Sequence, residues 1–132
     1  MDTASGTMTA GNSFPAGVAA GAAWKFCGAV YDGTKVWYIP EQADRIIHLD
    51  VASGAVTTDS AFTPGSTTPS SFTGAVFDGR FVYLVPYLAT FLLRVDATAV
   101  TKFGNWPTDF TLPTPAFMTG SFDGNRTVWF HP

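Results

Sequence analysis

An eight-residue pattern that recurs three times constrains the fold of this chain more than any other feature of its sequence. Residues 26–33, 72–79 and 117–124 each begin with Phe and end with an aromatic residue followed by Asp-Gly, at spacings of 46 and 45 residues. Each Asp-Gly pair is followed by a short apolar run that closes with proline, at residues 36–40, 82–86 and 128–132. Because the three copies stay in register, the pattern predicts one structural unit used repeatedly.

The second half of the unit also recurs. Residues 45–50 resemble residues 91–96, and each is followed by a small polar turn and a Val-Thr pair. Residues 2–9 run parallel to residues 50–57, so we expect the chain to begin inside one unit and end inside another. The predicted single domain then divides into residues 1–23 (end of a split unit and a linker), 24–69 and 70–114 (whole units) and 115–132 (start of a split unit).

Each unit is predicted to form four short antiparallel strands. Runs of about six residues rich in Val, Phe, Tyr and Trp, bounded by Gly, Pro, Asp and Thr, are typical of strands, and no helical apolar period persists. The Asp-Gly pairs indicate tight hairpins between the first two strands. The small residues of each first strand suit a crowded place where equivalent strands converge. Four-stranded units of this length indicate an all-β fold, the β-propeller.

Residues 74–86, followed by residues 92–96, resemble the blade pattern of YVTN-type and related bacterial propeller repeats. The resemblance extends over nearly the whole chain and implies the propeller fold, but no particular activity. The Gly-His and Trp-Asp marks of WD-type blades and the paired glycines of Kelch blades are missing.

Three blades are too few to close a ring, since propellers typically have four to eight. Two chains would supply six, so we predict a homodimer that forms one six-bladed ring, in which each N-terminal segment completes the partner's third blade. The third unit lacks a counterpart of residues 45–50. Three alternatives therefore stay open: a thin split blade, an edge supplied by residues 3–9, or a fragment of a longer propeller.

Composition narrows the possible partners. With 13% charged and 46% hydrophobic residues, the chain is not of the disordered class, and a net charge of −3 argues against nucleic acid. The single cysteine, Cys27, excludes an internal disulfide and a zinc site built on several thiolates. We expect no cofactor, no metal and no membrane partner. No signal peptide is visible, which together with a free Cys27 slightly favours the cytoplasm.

The candidate binding residues lie in the connections that differ between units, because variable loops on a fixed scaffold usually carry binding. Trp24 and Trp106 have no aromatic counterpart in the other units, whereas Trp37 and Trp129 share one repeated position and are expected to pack between sheets. The repeated aspartates are interpreted as turn formers. The speculative ligand-binding set is Trp24, Glu41, Asp44, Tyr87, Trp106 and His131.

Two classes of function remain open. The first is a non-catalytic scaffold or module that binds a small polar ligand, such as a carbohydrate, or a protein partner, and no catalytic residue is assigned. The alternative is a hydrolase or lyase that uses Glu41, Asp44 and His131 as an acid/base site. A third possibility is an orphan propeller fragment without independent activity. Cys27 is expected to be a small buried side chain, because no Cys/His spacing indicates a nucleophile.

Overall fold

The computed structural model describes residues 4–8, 15, 18, 24–43, 45–58, 71–96 and 99–132. Within these ranges the chain forms ten strands. They are β1 (Phe26–Tyr31), β2 (Lys35–Pro40), β3 (Ile47–Asp50), β4 (Val56–Thr58), β5 (Phe72–Phe77), β6 (Val82–Pro86), β7 (Leu92–Val95), β8 (Val100–Phe103), β9 (Thr119–Phe122) and β10 (Val128–His131).

The strands form two four-stranded meanders and one hairpin. The first sheet has the order β1-β2-β3-β4, the second β5-β6-β7-β8, and the third consists of β9 and β10. All pairings are antiparallel. The prediction of an all-β chain is therefore confirmed for the described residues, and no helix in this part could cross a membrane.

The first two sheets repeat each other in register. Phe26 pairs with Pro40 in the first and Phe72 with Pro86 in the second, and each first strand carries a register shift two residues later, before Gly28 or Gly74. The Asp-Gly turns also match, since Gly33, Gly79 and Gly124 have φ of 98°, 95° and 78°. These left-handed angles favour glycine, which explains its recurrence after each aspartate.

The first strands of the three sheets lie side by side, with β5 between β1 and β9. The predicted crowding is found at Gly120 on β9, where an added Cβ would lie 2.8 Å from Val76 Cγ2 on β5. It is not found at Gly74, which has open space within 4 Å, or at Gly28, whose Cβ would make an ordinary contact. The need for a small residue is therefore specific to the β5–β9 contact.

The main core lies between the first and second sheets. Trp37 and Ile39 of β2 face the cross-strand pairs Leu84–Leu93 and Val82–Val95 of β6 and β7, and all six side chains are at most 4% exposed. Burial of each of these large apolar side chains stabilises the fold by roughly 1.5–3 kcal/mol. This contact joins the two sheets into one packed body.

A smaller core covers part of the opposite face of the first sheet. Ile47 and Ala43 pack with Val18, and Tyr38 and Val56 lie against them. In the repeat, Tyr38 and Ile47 correspond to Leu84 and Leu93, which face the first sheet. Corresponding faces of the sheets therefore point in the same direction along the stack.

Candidate functional site

The repeated aspartates lie at one end of the sheets and are used by the turns. Asp32 Oδ1 accepts hydrogen bonds from the backbone N–H groups of Thr34 and Lys35 at 2.8 and 2.7 Å, and Oδ2 accepts one from Trp37 Nε1 at 2.6 Å. The Thr34 hydroxyl donates a further bond to Oδ1. This carboxylate is occupied by its own hairpin.

In the other two hairpins the aspartate carboxylate also accepts hydrogen bonds from its own turn, but from different donors. Asp78 Oδ1 accepts bonds from two backbone N–H groups, and its Oδ2 accepts one from the Tyr83 hydroxyl at 3.0 Å. Asp123 Oδ1 accepts bonds from the backbone N–H groups of residues 125, 126 and 127. The turn-forming interpretation of the aspartates agrees with these contacts.

The turns also lower the pKa values of these carboxyl groups. Partial burial of Asp32 raises its pKa, but the hydrogen bonds from Trp37, Lys35 and Thr34 outweigh burial and lower the pKa to about 2. The pKa of Asp78 is lowered in the same way, with burial opposed by bonds from Phe81, Arg80 and Tyr83. The three turns therefore hold ionised carboxylates at neutral pH.

Five of the six predicted ligand-binding residues lie at the opposite end of the sheets, and the sixth, Asp44, lies outside the described residues. This end gathers the starts of β1, β5 and β9 and the ends of β2, β6 and β10. Trp24 and Glu41 flank β1 and β2, Tyr87 follows β6, and His131 ends β10. These described residues therefore lie at one end of the molecule, as expected from the loops that differ between units.

Trp24 is the most accessible of these aromatic side chains, at 67% exposed. Its carbonyl oxygen accepts a hydrogen bond from the N–H of Gln42 at 3.0 Å, which fixes the backbone beneath the indole ring. The adjacent carbonyl of Lys25 accepts bonds from the N–H groups of Glu41 and Ala43. An exposed ring on a hydrogen-bonded backbone can serve as a stacking platform for a ligand.

Tyr87 is held in an equivalent backbone arrangement in the second sheet. Its N–H and that of Ala89 both donate to the Ser71 carbonyl, as residues 41 and 43 do to Lys25. Its own carbonyl accepts a 2.7 Å bond from the N–H of Ala116. Tyr87 is half-buried and connects the second sheet to the segment that leads into β9.

Trp106 belongs to an aromatic cluster that sequence reasoning did not find. Its ring lies 5.8 Å from Phe110 and 6.0 Å from Phe117, and Phe117 lies 5.5 Å from Phe130 of β10. The indole N–H of Trp106 donates to the Thr90 carbonyl at 2.9 Å. Because that donor is used and the ring is half-buried, Trp106 holds the 104–118 segment to the end of the sheets.

His131 is exposed, and its Nε2 lies 3.1 Å from the Ser121 hydroxyl across the hairpin. Its backbone carbonyl accepts a bond from the N–H of Met118. Across the described ranges, no group of three or more His, Cys, Asp and Glu side chains is placed to hold a metal ion. With Asp44 outside the described residues, the hydrolase or lyase site stays a prediction.

Cys27 is half-buried and tied to two strands. Its Sγ donates to the Phe72 carbonyl of β5 at 3.1 Å and lies 3.7 Å from the Ile39 carbonyl of β2. Burial, reinforced by the negative charge of Glu41, raises the pKa of the thiol to about 11. The group is therefore a neutral thiol at physiological pH, whereas a nucleophile needs the thiolate.

The third sheet presents an open face. Trp129 is 57% exposed, although its repeat counterpart Trp37 is 3% exposed and lies 4.8 Å from the His48 ring of β3. Within one copy of the chain, Trp129 therefore does not pack between sheets, whereas Trp37 does, as expected. In the described part of the chain, no further sheet covers this side of β10 and no strand pairs with its outer edge.

The N-terminal segment repeats a turn found inside the first sheet. Gly6 and Gly54 have φ of 70° and 71°, and the N–H groups of Thr7 and Ala55 each donate to the hydroxyl of the serine two residues earlier at 3.3 Å. The local structure of residues 5–7 thus matches that of residues 53–55, their counterparts in the sequence alignment. Met8 is 76% exposed, whereas its counterpart Val56 is half-buried.

Two features of these surfaces could not be found from repeat comparison. The partners of Trp106 lie in the 104–118 segment, where the units differ most, and only the density of aromatic residues there signals a cluster. The exposure of Trp129 depends on which neighbours its sheet lacks.

No protein-family model, curated protein or solved structure matches the chain.

Proposed function

We propose that this chain is half of a β-propeller, which closes a six-bladed ring as a homodimer and acts as a non-catalytic binding module. The observation that carries the proposal is the repeated stacking of the sheets. The β2 face with Trp37 packs on β6 and β7, and Gly120 of β9 meets Val76 of β5 on the next face along. Inner strands side by side, with sheets stacked in one direction, are typical of propeller blades.

The open faces support dimerisation. Both ends of the three-sheet stack expose large apolar side chains, with Trp129 at 57% and Tyr31 at 53%. Apolar surface of this kind is favourably removed from water, and a second copy would supply the three further blades that a six-bladed ring needs. In this proposal the functional unit is a dimer of the 132-residue chain.

The ligand-binding surface is assigned to the end of the ring that carries Trp24. A small polar ligand, such as a carbohydrate, would stack on the exposed Trp24 ring and form hydrogen bonds with neighbouring polar groups. Glu41 is half-buried beside the same strand ends and offers an acceptor. Nothing in this arrangement requires a nucleophile, which accords with the protonated Cys27 thiol.

Two measurements test the proposal. Light scattering after size-exclusion chromatography should give about twice the chain mass of 14.0 kDa. Titration with a panel of monosaccharides, followed by NMR, should shift the Trp24 indole resonance, and Trp24→Ala should abolish binding. Leu88→Ala is the matched control, since Leu88 is also exposed at this end but is aliphatic. A monomeric mass at all concentrations contradicts the ring, and binding that survives Trp24→Ala contradicts the site.

A further inference from the structure

We infer that the two copies join head to tail: the open face around Trp129 of one copy seats on the face of the partner's first sheet that carries Tyr31, Val36 and Leu49. This inference rests on the proposed function and specifies the partner's binding surface. Three observations within the chain carry it, because the same contact is already made once between the first and second sheets.

The first observation concerns which way Trp129 faces. Trp129 and Trp37 hold the same position in the repeat, and Trp37 faces the following sheet. On β10 the neighbouring Phe130 lies on the opposite side, paired with Gly120, whose Cα side meets Val76 of the second sheet. Trp129 therefore points away from the second sheet, toward the place where a following sheet would stack.

The second observation concerns the receiving surface. Val82 and Val95 belong to the same buried cluster as Trp37, pair directly across β6 and β7, and are 2% and 1% exposed. Their counterparts in the first sheet, Val36 and Leu49, pair in the same register. Both are only half-buried. The first sheet thus carries a copy of the apolar pair that is buried in one cluster with Trp37 in the second sheet.

The third observation is a difference in exposure between two corresponding residues, Phe77 at the end of β5 and Tyr31 at the end of β1. Phe77 pairs with Val82 and packs against the main core. Its counterpart Tyr31 pairs with Val36 in the same register but is 53% exposed. Each half of the internal contact therefore has a more exposed copy at one end of the stack: Trp129 on the third sheet, and Tyr31 with the half-buried Val36 and Leu49 on the first, beside the Val18 core.

These observations predict a contact between unlike faces. Each chain has one face of each kind, so a two-fold dimer makes the contact twice and closes the ring. A contact between like faces would instead place Trp129 against Trp129, and it would leave Tyr31, Val36 and Leu49 uncovered. The two arrangements respond differently to single substitutions.

The experiment uses Trp129→Arg and Tyr31→Asp in the full chain, with Leu88→Arg as the control, because Leu88 is an exposed apolar side chain that follows β6 of the middle sheet. Sedimentation velocity should show self-association weakened more than about thirtyfold in each of the first two variants, the size of effect typical of interface hot spots. The Leu88 variant should associate like the unmodified chain. Circular dichroism and cooperative unfolding check that each variant is folded.

Mixing the two variants is the decisive step. A mixed dimer contains one doubly altered contact and one unaltered contact, so an equimolar mixture should return dimers that neither variant forms alone. If Tyr31→Asp dimerises normally while Trp129→Arg does not, like faces meet and the inference is wrong, although the ring proposal survives. If the unmodified chain is monomeric, the proposed function fails as well. Trp129→Ala and Tyr31→Ala replace any charged variant that does not fold.

Discussion

The hairpin carboxylates allow a graded test of the turn geometry, because the three copies differ in what donates to the second oxygen. At Asp32 the donor is the Trp37 indole N–H at 2.6 Å, and at Asp78 it is the Tyr83 hydroxyl at 3.0 Å. At Asp123 the three bonds described all go to Oδ1. Replacement by Asn keeps one carbonyl oxygen and converts the other into an NH₂ donor.

The cost of each substitution follows from this difference. In Asp32→Asn the new NH₂ group opposes the indole N–H, which can only donate, so the bond is lost. Loss of a hydrogen bond to a charged group costs about 1.5–3 kcal/mol, and we take the lower half because the turn is partly solvated. In Asp78→Asn the Tyr83 hydroxyl can rotate and accept, so we expect about 0.5–1 kcal/mol. Asp123→Asn should have the smallest effect.

The assay is reversible unfolding at pH 7, followed by far-ultraviolet circular dichroism at one fixed protein concentration. For a chain of this size, a loss of about 2 kcal/mol lowers Tm by roughly 6–10 °C. The expected order of destabilisation is Asp32→Asn, then Asp78→Asn, then Asp123→Asn. Equal losses for Asp32→Asn and Asp123→Asn would refute the assignment of the Trp37 bond as the stabilising contact.

Three further predictions concern pH, packing and thiol chemistry. Because the folded-state pKa of Asp32 is lowered to about 2, the ionised carboxylate stabilises the fold fully above pH ~4, and this stabilisation is lost as pH falls through about 2. Measurements of the free energy of unfolding across this acid range should show the loss. The Asp32→Asn variant should show a smaller dependence of stability on pH. Gly120→Ala should destabilise the fold by about 1–3 kcal/mol, because its Cβ would lie 2.8 Å from Val76 Cγ2, whereas Gly74→Ala, with open space, should be tolerated in chemical denaturation. Cys27 should react with iodoacetamide at pH 7.5 far more slowly in the native protein than in denaturant; equal rates would contradict the thiol pKa of about 11.

The strands were predictable because each is specified by local features that recur. Apolar runs bounded by Asp-Gly and proline locate β1, β2, β5 and β6, and a repeat seen three times fixes their order. The all-β class follows from the same pattern. The alignment of residues 2–9 with residues 50–57 places Gly6 opposite Gly54, and both glycines have a positive φ.

Side-chain environments were less predictable, because they depend on neighbours rather than on the repeat itself. Identical positions gave a buried Trp37 and an exposed Trp129, since only the first tryptophan has a β3 strand beside it and a sheet in front of it. The small residues of each first strand predicted crowding in all three units, yet among Gly28, Gly74 and Gly120 the crowded position is Gly120. The Trp106 cluster depends on a segment with no counterpart, so comparison between units carried no information about it.

The outer edge of β10 makes the protein prone to aggregation during folding and refolding. This strand, Val128–His131, contains no Asp, Glu, Lys or Arg, and among the described residues no strand pairs with its outer edge. An edge of this kind can pair with another extended chain. Formation of the proposed dimer therefore competes with non-specific strand pairing and aggregation. Slow refolding at high concentration would favour precipitation, and dilution followed by gradual concentration should favour the ordered product.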